Sequence, residues 1–365
     1  MRTLLVTGPG GSGKTSVASA TAARAARQGL RTLLITGDGL AGPDGVAVRR
    51  LVPADDFRDD LLALQDRAAS ALDLLGAARL DADELTPLPG SDELALLRAL
   101  RDSAEGPYDL VVVDLPAAPR AVAVLALPEQ LRRYLRRLLP AERQAARALR
   151  PVLGRLAGVP MPADWLYETA ARWDAELAAA QAVIDAGTTV VRLVAEPTRA
   201  AAETLRVTRA GLALHGLPVE SVVANKVLPD GSTDPWLADA AARQRKVIAE
   251  WPDAYETAHL GRDPRPGELD VPVPHAPGPR TDWPVEDRLA QDGVLVWRIP
   301  LPGAVREELT LIRRGDELVV GAGAFRRIVP LPSAPRRCTV AGAGLVDGEL
   351  CVRFAPDPDL WPQTR

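Results

Sequence analysis

The chain has 365 residues, 47% hydrophobic and 25% charged, the balance of a soluble globular protein with room for a large α/β domain and an appendage. A formal net charge of -4 gives no electrostatic reason to expect a nucleic-acid partner. No apolar run of about eighteen residues offers a membrane span, and Leu4-Leu5-Val6 is too short for a secretory leader, so a cytoplasmic protein is expected.

Taken in chain order, residues 3–6 are a short apolar run ending in glycines and predict a buried strand. The alanine-rich residues 15–28 predict a helix stopped at Gly29, and residues 31–35 predict a second strand. Strand, glycine loop, helix and strand form a βαβ unit, which should be parallel and right-handed. Further buried strands are expected at residues 110–113, 188–194 and 219–224, separated by helical segments such as 198–214. This alternation predicts an α/β fold built on a doubly wound, mostly parallel sheet.

Residues 128–180 should form a helical subdomain, in which Leu131, Tyr134, Leu135, Leu138 and Leu139 recur at helical spacing and make one face apolar. Arg132, Arg133, Arg136, Arg137, Arg143, Arg147, Arg150 and Arg155, opposed by Glu129 and Glu142, read as a solvated face over that stripe. A docking surface for an acidic partner or a membrane surface is the alternative. Residues 271–292 are proline-rich and read as a linker. Short strands then follow at 294–299, 308–313, 317–320, 326–330, 339–343 and 349–354, with turn signals at Arg314-Gly315-Asp316 and Asp347-Gly348. They predict a small antiparallel β domain over residues 293–358. Cys338 and Cys351 match no zinc spacing and read as β-strand thiols.

The chemistry is concentrated near the start. Gly8-Pro9-Gly10-Gly11-Ser12-Gly13-Lys14-Thr15 fits the phosphate-loop pattern G-x-x-x-x-G-K-[ST] at every fixed position, between a strand and a helix. Glycines let successive backbone N–H groups curl around phosphate oxygens, and the helix start adds its positive end. Gly8, Gly10, Gly11, Ser12, Gly13, Lys14, Thr15 and Ser16 are thus the expected binding residues for ATP. Lys14 should reach the β- and γ-phosphates and the Thr15 hydroxyl should ligate Mg2+. Lysine is otherwise confined to Lys226 and Lys246, so composition alone does not account for one in this loop. Asp114, ending an apolar run, has the form of a second magnesium ligand, and Asp38, after the second strand, could orient an attacking water.

With these residues in place, the chain resembles the ArsA-type ATPases, which include the arsenical-pump ATPase and the ATPase that targets tail-anchored membrane proteins. The likeness is carried by the glycine loop, by Asp38, and by Val111-Val112-Val113-Asp114 followed by Leu127-Pro128-Glu129-Gln130-Leu131 and Tyr134-Leu135. It continues through Glu196-Pro197, Glu203 and Arg206 to Val223-Ala224-Asn225-Lys226. The resemblance covers roughly residues 1–270. It implies a P-loop ATPase domain, an adenine contact at Asn225, a dimer (with itself or with a paralogue) and a protein client or partner. The terminal β domain is similar, in strand pattern, to the small heat-shock-protein-like (α-crystallin-like) domain appended to some members.

Departures from the family pattern bear on activity. The family's signature lysine, which reaches the partner subunit's nucleotide, is replaced by Pro9. The first switch reads Asp38-Gly39-Leu40-Ala41, and the second Asp114-Leu115-Pro116-Ala117-Ala118-Pro119-Arg120, with Arg120 at the family's histidine position and able to offer a substitute charge. By analogy with arginine fingers, losing a cation supplied in trans costs on the order of 10³–10⁵ in rate. The zinc-binding and metalloid-binding cysteines of the two named members have no counterpart, which argues against arsenite transport. Three functions follow: an ATPase whose nucleotide state controls a partner surface, a catalytically silent nucleotide-binding subunit, or a small-molecule kinase.

Overall fold

The computed structural model describes residues 1–39, 42–67, 69, 72–73, 76, 78–139, 164–251, 253–274 and 283–361. Seven strands form one sheet: β1 (Arg2–Thr7), β2 (Thr32–Thr36), β3 (Ala47–Arg50), β4 (Leu110–Asp114), β5 (Thr189–Ala195), β6 (Val219–Val227) and β7 (Tyr255–Ala258), in the order β3-β2-β4-β1-β5-β6-β7. Every pairing is parallel. Both faces of such a sheet must be covered, and alternate residues of each strand feed two cores. Leu4, Val6, Val112 and Val194 pack with the alanine-rich helix α1 (Lys14–Arg27). Leu5, Val111, Val113 and Leu193 face the opposite helices: α3 (Ser91–Ser103), α4 (Arg120–Leu138), α5 (Asp164–Ile184) and α6 (Arg199–Leu214). A further helix, α2 (Pro53–Arg67), packs on α3, and α7 (Pro235–Ile248) follows β6.

The expected strands are present with ends shifted by a residue or two, and β6 runs three residues further. The short edge strands β3 and β7 were not legible, because their exposed residues carry little apolar signal.

Within the helical subdomain the apolar face divides. Leu131 and Leu135 pack against the core, whereas Tyr134 and Leu138 are exposed, 54% and 78%. The solvated arginine face is divided too: Arg136 and Arg137 keep 62% and 65% of their side-chain surface in water, but Arg132 and Arg133 do not. Arg132 Nε donates to Asp174 Oδ1 of α5 at 3.0 Å, and Arg133 donates to both Glu317 oxygens at 2.5 and 2.6 Å. Arg143, Arg147, Arg150, Arg155 and Glu142 lie outside the described residues.

Both ends of the expected linker, residues 271–292, are structured. Leu269 and Val271 are buried, and the carbonyls of Pro272 and Pro274 accept hydrogen bonds from Arg192 and Arg2. At its far end β8 (Val285–Arg288) and the short helix α8 (Leu289–Asp292) belong to the β domain. That domain comprises a sheet of order β13-β14-β9-β8 and a second of order β10-β11-β12, all antiparallel. The remaining strands are β9 (Val294–Pro300), β10 (Leu309–Arg314), β11 (Glu317–Ala322), β12 (Phe325–Pro330), β13 (Cys338–Val346) and β14 (Glu349–Pro356). Asp347 and Gly348, at φ 49 and 77, make the tight hairpin between β13 and β14.

The β domain is docked, not tethered. Its Trp297, Leu318, Phe325 and Val352 belong to the same buried cluster as α4 and α6. Phe325 lies against Gly211 of α6, where a Cβ would come within 2.5 Å of the ring. Arg327 donates to Glu129 of α4 at 3.1 Å and to the Leu214 carbonyl at 3.0 Å, and its guanidinium lies 5.6 Å from the Trp283 ring.

Candidate functional site

The C-terminal ends of β1, β2, β4, β5 and β6 open on one crevice, the usual ligand position in parallel α/β sheets. The glycine loop 8–15 leaves β1 and turns into α1 at Lys14, with Gly13 as N-cap at φ 86 and Gly11 at φ 73. Both angles favour glycine. Gly8 is required by space: a Cβ there would stand 1.8 Å from the Val194 carbonyl oxygen of β5. At Gly13 an added Cβ would meet the Asn225 amide nitrogen at 2.2 Å, whereas Gly10 has open space.

Asp114 sits where β4 ends. Its Oδ2 accepts hydrogen bonds from Thr15 Oγ1 at 2.8 Å and Thr36 Oγ1 at 3.0 Å, while Oδ1 is buried with no partner among the described residues. Burial pushes this carboxyl up from its ordinary value, opposed by the two hydroxyls and the Lys14 charge. A buried, unsatisfied carboxylate oxygen beside a threonine hydroxyl is a hard-oxygen donor pair, and it fits a magnesium ion. Asp38 lies on the same cavity as Thr15, Asp114 and Arg120, with its backbone N–H bonded to Thr36 Oγ1 at 3.0 Å. Leu40 and Ala41 lie outside the described residues.

Arg120, at the first turn of α4, does not stand free over this cavity. It pairs with Glu93 at 2.7 Å and Asp92 at 3.4 Å on α3, and both acids line the cavity too. Glu93, then Asp92, holds its guanidinium above the usual arginine value. The segment after Asp114 is laced to the start of the glycine loop. Leu115 N–H donates to the Val6 carbonyl (2.9 Å), Ala118 N–H to the Gly8 carbonyl (3.1 Å), and Thr7 Oγ1 to the Pro116 carbonyl (2.8 Å).

A second groove runs from the other side of the loop. Gly11, Gly13, Lys14, Thr15, Ser16, Asn225 and Lys226 line it with residues 258–264. Asn225 is buried: its Nδ2 donates to the Ser12 carbonyl at 2.7 Å and its Oδ1 accepts from Thr257 at 2.7 Å. Its amide therefore braces the loop first and has one N–H left for a ligand. Ser12 Oγ is buried without a partner among the described residues. The crevice thus places Asp38, Asp114 and Arg120 on one side of Thr15, and Lys14, Ser16, Asn225 and Lys226 on the other. It adds Thr36, Thr257 and Glu93, whose roles rest on long-range pairings with no local signal.

The anion-transporting ATPase family model matches residues 1–40 and 54–265, and the HSP20-like domain found in ArsA matches residues 292–354. The chain belongs to the ArsA ATPase family. Among its relatives, an uncharacterized protein of Streptomyces coelicolor is 63% identical over 100% of both chains. A Mycobacterium tuberculosis protein is 30% identical over 99% of this chain and 97% of its own. A relative named arsenical pump-driving ATPase in Aquifex aeolicus is 23% identical over 96% of this chain and 99% of its own. Within this ArsA-family chain the two cysteines are free and line neither groove; they lie on β13 and β14 of the HSP20-like domain. Among the described residues no helix is long and apolar enough to cross a membrane.

Proposed function

We propose that this ArsA-family chain binds ATP with magnesium in the crevice and hydrolyses it, using the nucleotide state to set a surface for a client or partner. The observation that carries this reading is the Thr15–Asp114 hydrogen bond of 2.8 Å beside the orphaned Asp114 Oδ1, directly under the loop that holds Lys14. The loop amides and Lys14 bind and orient the polyphosphate, and Thr15 and Asp114 hold the magnesium ion. A bound magnesium ion supplies charge neutralisation for the triphosphate. Asp38 orients the attacking water and accepts its proton. Any shift of the 115–119 segment is passed to α4, because Arg120 opens that helix directly after it. Glu129 and Arg133, roughly two and a half and three and a half turns further along, hold Arg327 and Glu317 of the β domain. The partner surface therefore includes that domain, and the working unit is a dimer, with itself or with a paralogue.

A second reading, a nucleotide-binding subunit with little or no turnover, is favoured by Pro9 in the place of a lysine and by the Glu93–Arg120 pair. Calorimetric titration with MgATP beside single-turnover phosphate release separates the two. Binding with release above that of Lys14→Ala supports the ATPase. Binding without release leaves the silent subunit, and no binding by the wild-type chain ends both.

A further inference from the structure

β6 is irregular at the point where it meets the glycine loop. Its register against β7 runs Val223↔Tyr255 and Ala224↔Glu256, then resumes at Val227↔Ala258, so one extra residue is accommodated at 225–226. Bulges of this kind redirect a side chain, often beside a functional site. Here the redirected residue is Lys226, held at φ 59, a conformation disfavoured for any residue with a Cβ. The distortion is supported from behind. The buried Gln244 of α7 accepts from the Leu228 N–H at 2.8 Å and donates to the Lys226 carbonyl at 3.2 Å, satisfying backbone groups the bulge takes out of the ladder. What it delivers is the Lys226 ammonium, whose Nζ donates to the Gly11 carbonyl at 2.8 Å.

Two consecutive residues of β6 therefore grip two consecutive carbonyls of the loop, Ser12 through Asn225 and Gly11 through Lys226. In a peptide plane the carbonyl and the following N–H point in opposite directions. Fixing the Ser12 carbonyl on Asn225 thus aims the Gly13 N–H away from β6. Lys226 shares the groove of residues 258–264 with Lys14, but it does not line the cavity that holds Asp38, Asp114 and Arg120. Lys14 and Thr15 serve the β- and γ-phosphates and the metal in such loops, so the groove beyond them takes the α-phosphate and nucleoside. Two of the chain's three lysines, in a sequence that otherwise uses arginine, meet at this loop, Lys14 within it and Lys226 from β6.

We propose that Lys226 is a positioning residue for the nucleoside end of a bound nucleoside di- or triphosphate, fastening the glycine loop and adding a positive charge beside the α-phosphate. This rests on the reading of the crevice as a nucleotide site. Because the charge acts on groups that ATP and ADP share, the two ligands should lose affinity equally when it is removed.

The test is calorimetric titration of the full chain with MgATP and with MgADP, for the wild type, Lys14→Ala, Lys226→Met, Lys226→Arg and Lys226→Gly, each with its thermal midpoint. Lys226→Met is expected to weaken both nucleotides about tenfold, the low end for a charge-assisted bond at a half-exposed site, and Lys226→Arg to restore most of the loss. Lys226→Gly, relieved of the backbone penalty, keeps or raises the midpoint and still loses affinity. Wild-type affinity in Lys226→Met overturns the proposal while leaving the nucleotide site intact. So does a loss confined to ATP, or a loss that follows the midpoint down in both the Met and Gly variants. Failure of the wild type itself to bind MgATP overturns the site reading, and this inference falls with it.

Discussion

The glycine-loop crevice and the seam between the ATPase and β domains are both polar contacts across long sequence separations, yet they are built differently. In the crevice the partners are buried or half-buried, so a lost contact strands a donor or acceptor: Thr15 and Thr36 on one Asp114 oxygen, and Asn225 between Ser12 and Thr257. At the seam the Arg133–Glu317 and Arg327–Glu129 pairs keep a fifth to a third of their side-chain surface in water. Solvent can replace such a partner, so single losses there are graded. The crevice is the more brittle region and the seam the more tolerant one.

Gly8→Ala should break the crevice most completely, because its Cβ would stand 1.8 Å from the Val194 oxygen and backbone cannot yield as a side chain does. Calorimetry should show loss of MgATP binding and a stability cost of at least about 3 kcal/mol. Asp114→Asn should lower magnesium-dependent ATP affinity by at least about tenfold in titrations with and without the metal. The ligand-free midpoint should stay level or rise, since burial already disfavours the charged carboxylate.

At the seam, His215 is 7% exposed, and burial, with the Arg327 charge second, brings it down to about 4 from an ordinary 6.5. Glu129 Oε2 lies 3.9 Å from its Nδ1 and Asp185 also favours the charged ring, but burial and Arg327 prevail, so the ring is neutral. Between pH 6.5 and about 4 the unfolded chain takes up a proton that the folded ring refuses. Stability from this group is thus complete above pH 6.5 and declines as the pH falls, by up to about 3 kcal/mol. Urea midpoints across that range should slope less in His215→Asn. Gly211→Ala should cost less, about 1–2 kcal/mol in thermal unfolding, because the Phe325 ring can shift. Arg133→Ala should cost about 1 kcal/mol or less, and a loss as large as that of Gly8→Ala would erase the contrast between the two regions.

Much of the molecule was legible before its structure. The buried strands β1, β2, β4, β5 and β6 announce themselves as apolar runs, and the hairpin at Asp347-Gly348 carries its own turn chemistry. Edge strands β3 and β7 do not, because half-exposed residues next to solvent need no apolar pattern. The basic stripe on α4 misled for a related reason. Spacing shows that Arg132 and Arg133 leave the apolar face, but their partners Asp174 and Glu317 are 42 and 184 residues away.

Local chemistry determined the glycine loop, the helix that follows it and the aspartates at the strand ends, since spacing and residue type fix backbone angles and charge within a few residues. Assembly decided the rest: that Gly8 is demanded by the neighbouring β5, that Asn225 and Lys226 brace the loop from β6, and that the β domain is locked onto α4 and α6. These depend on which distant segments the sheet order brings side by side, and a one-residue bulge in β6 is enough to aim a lysine that composition alone would only mark as rare.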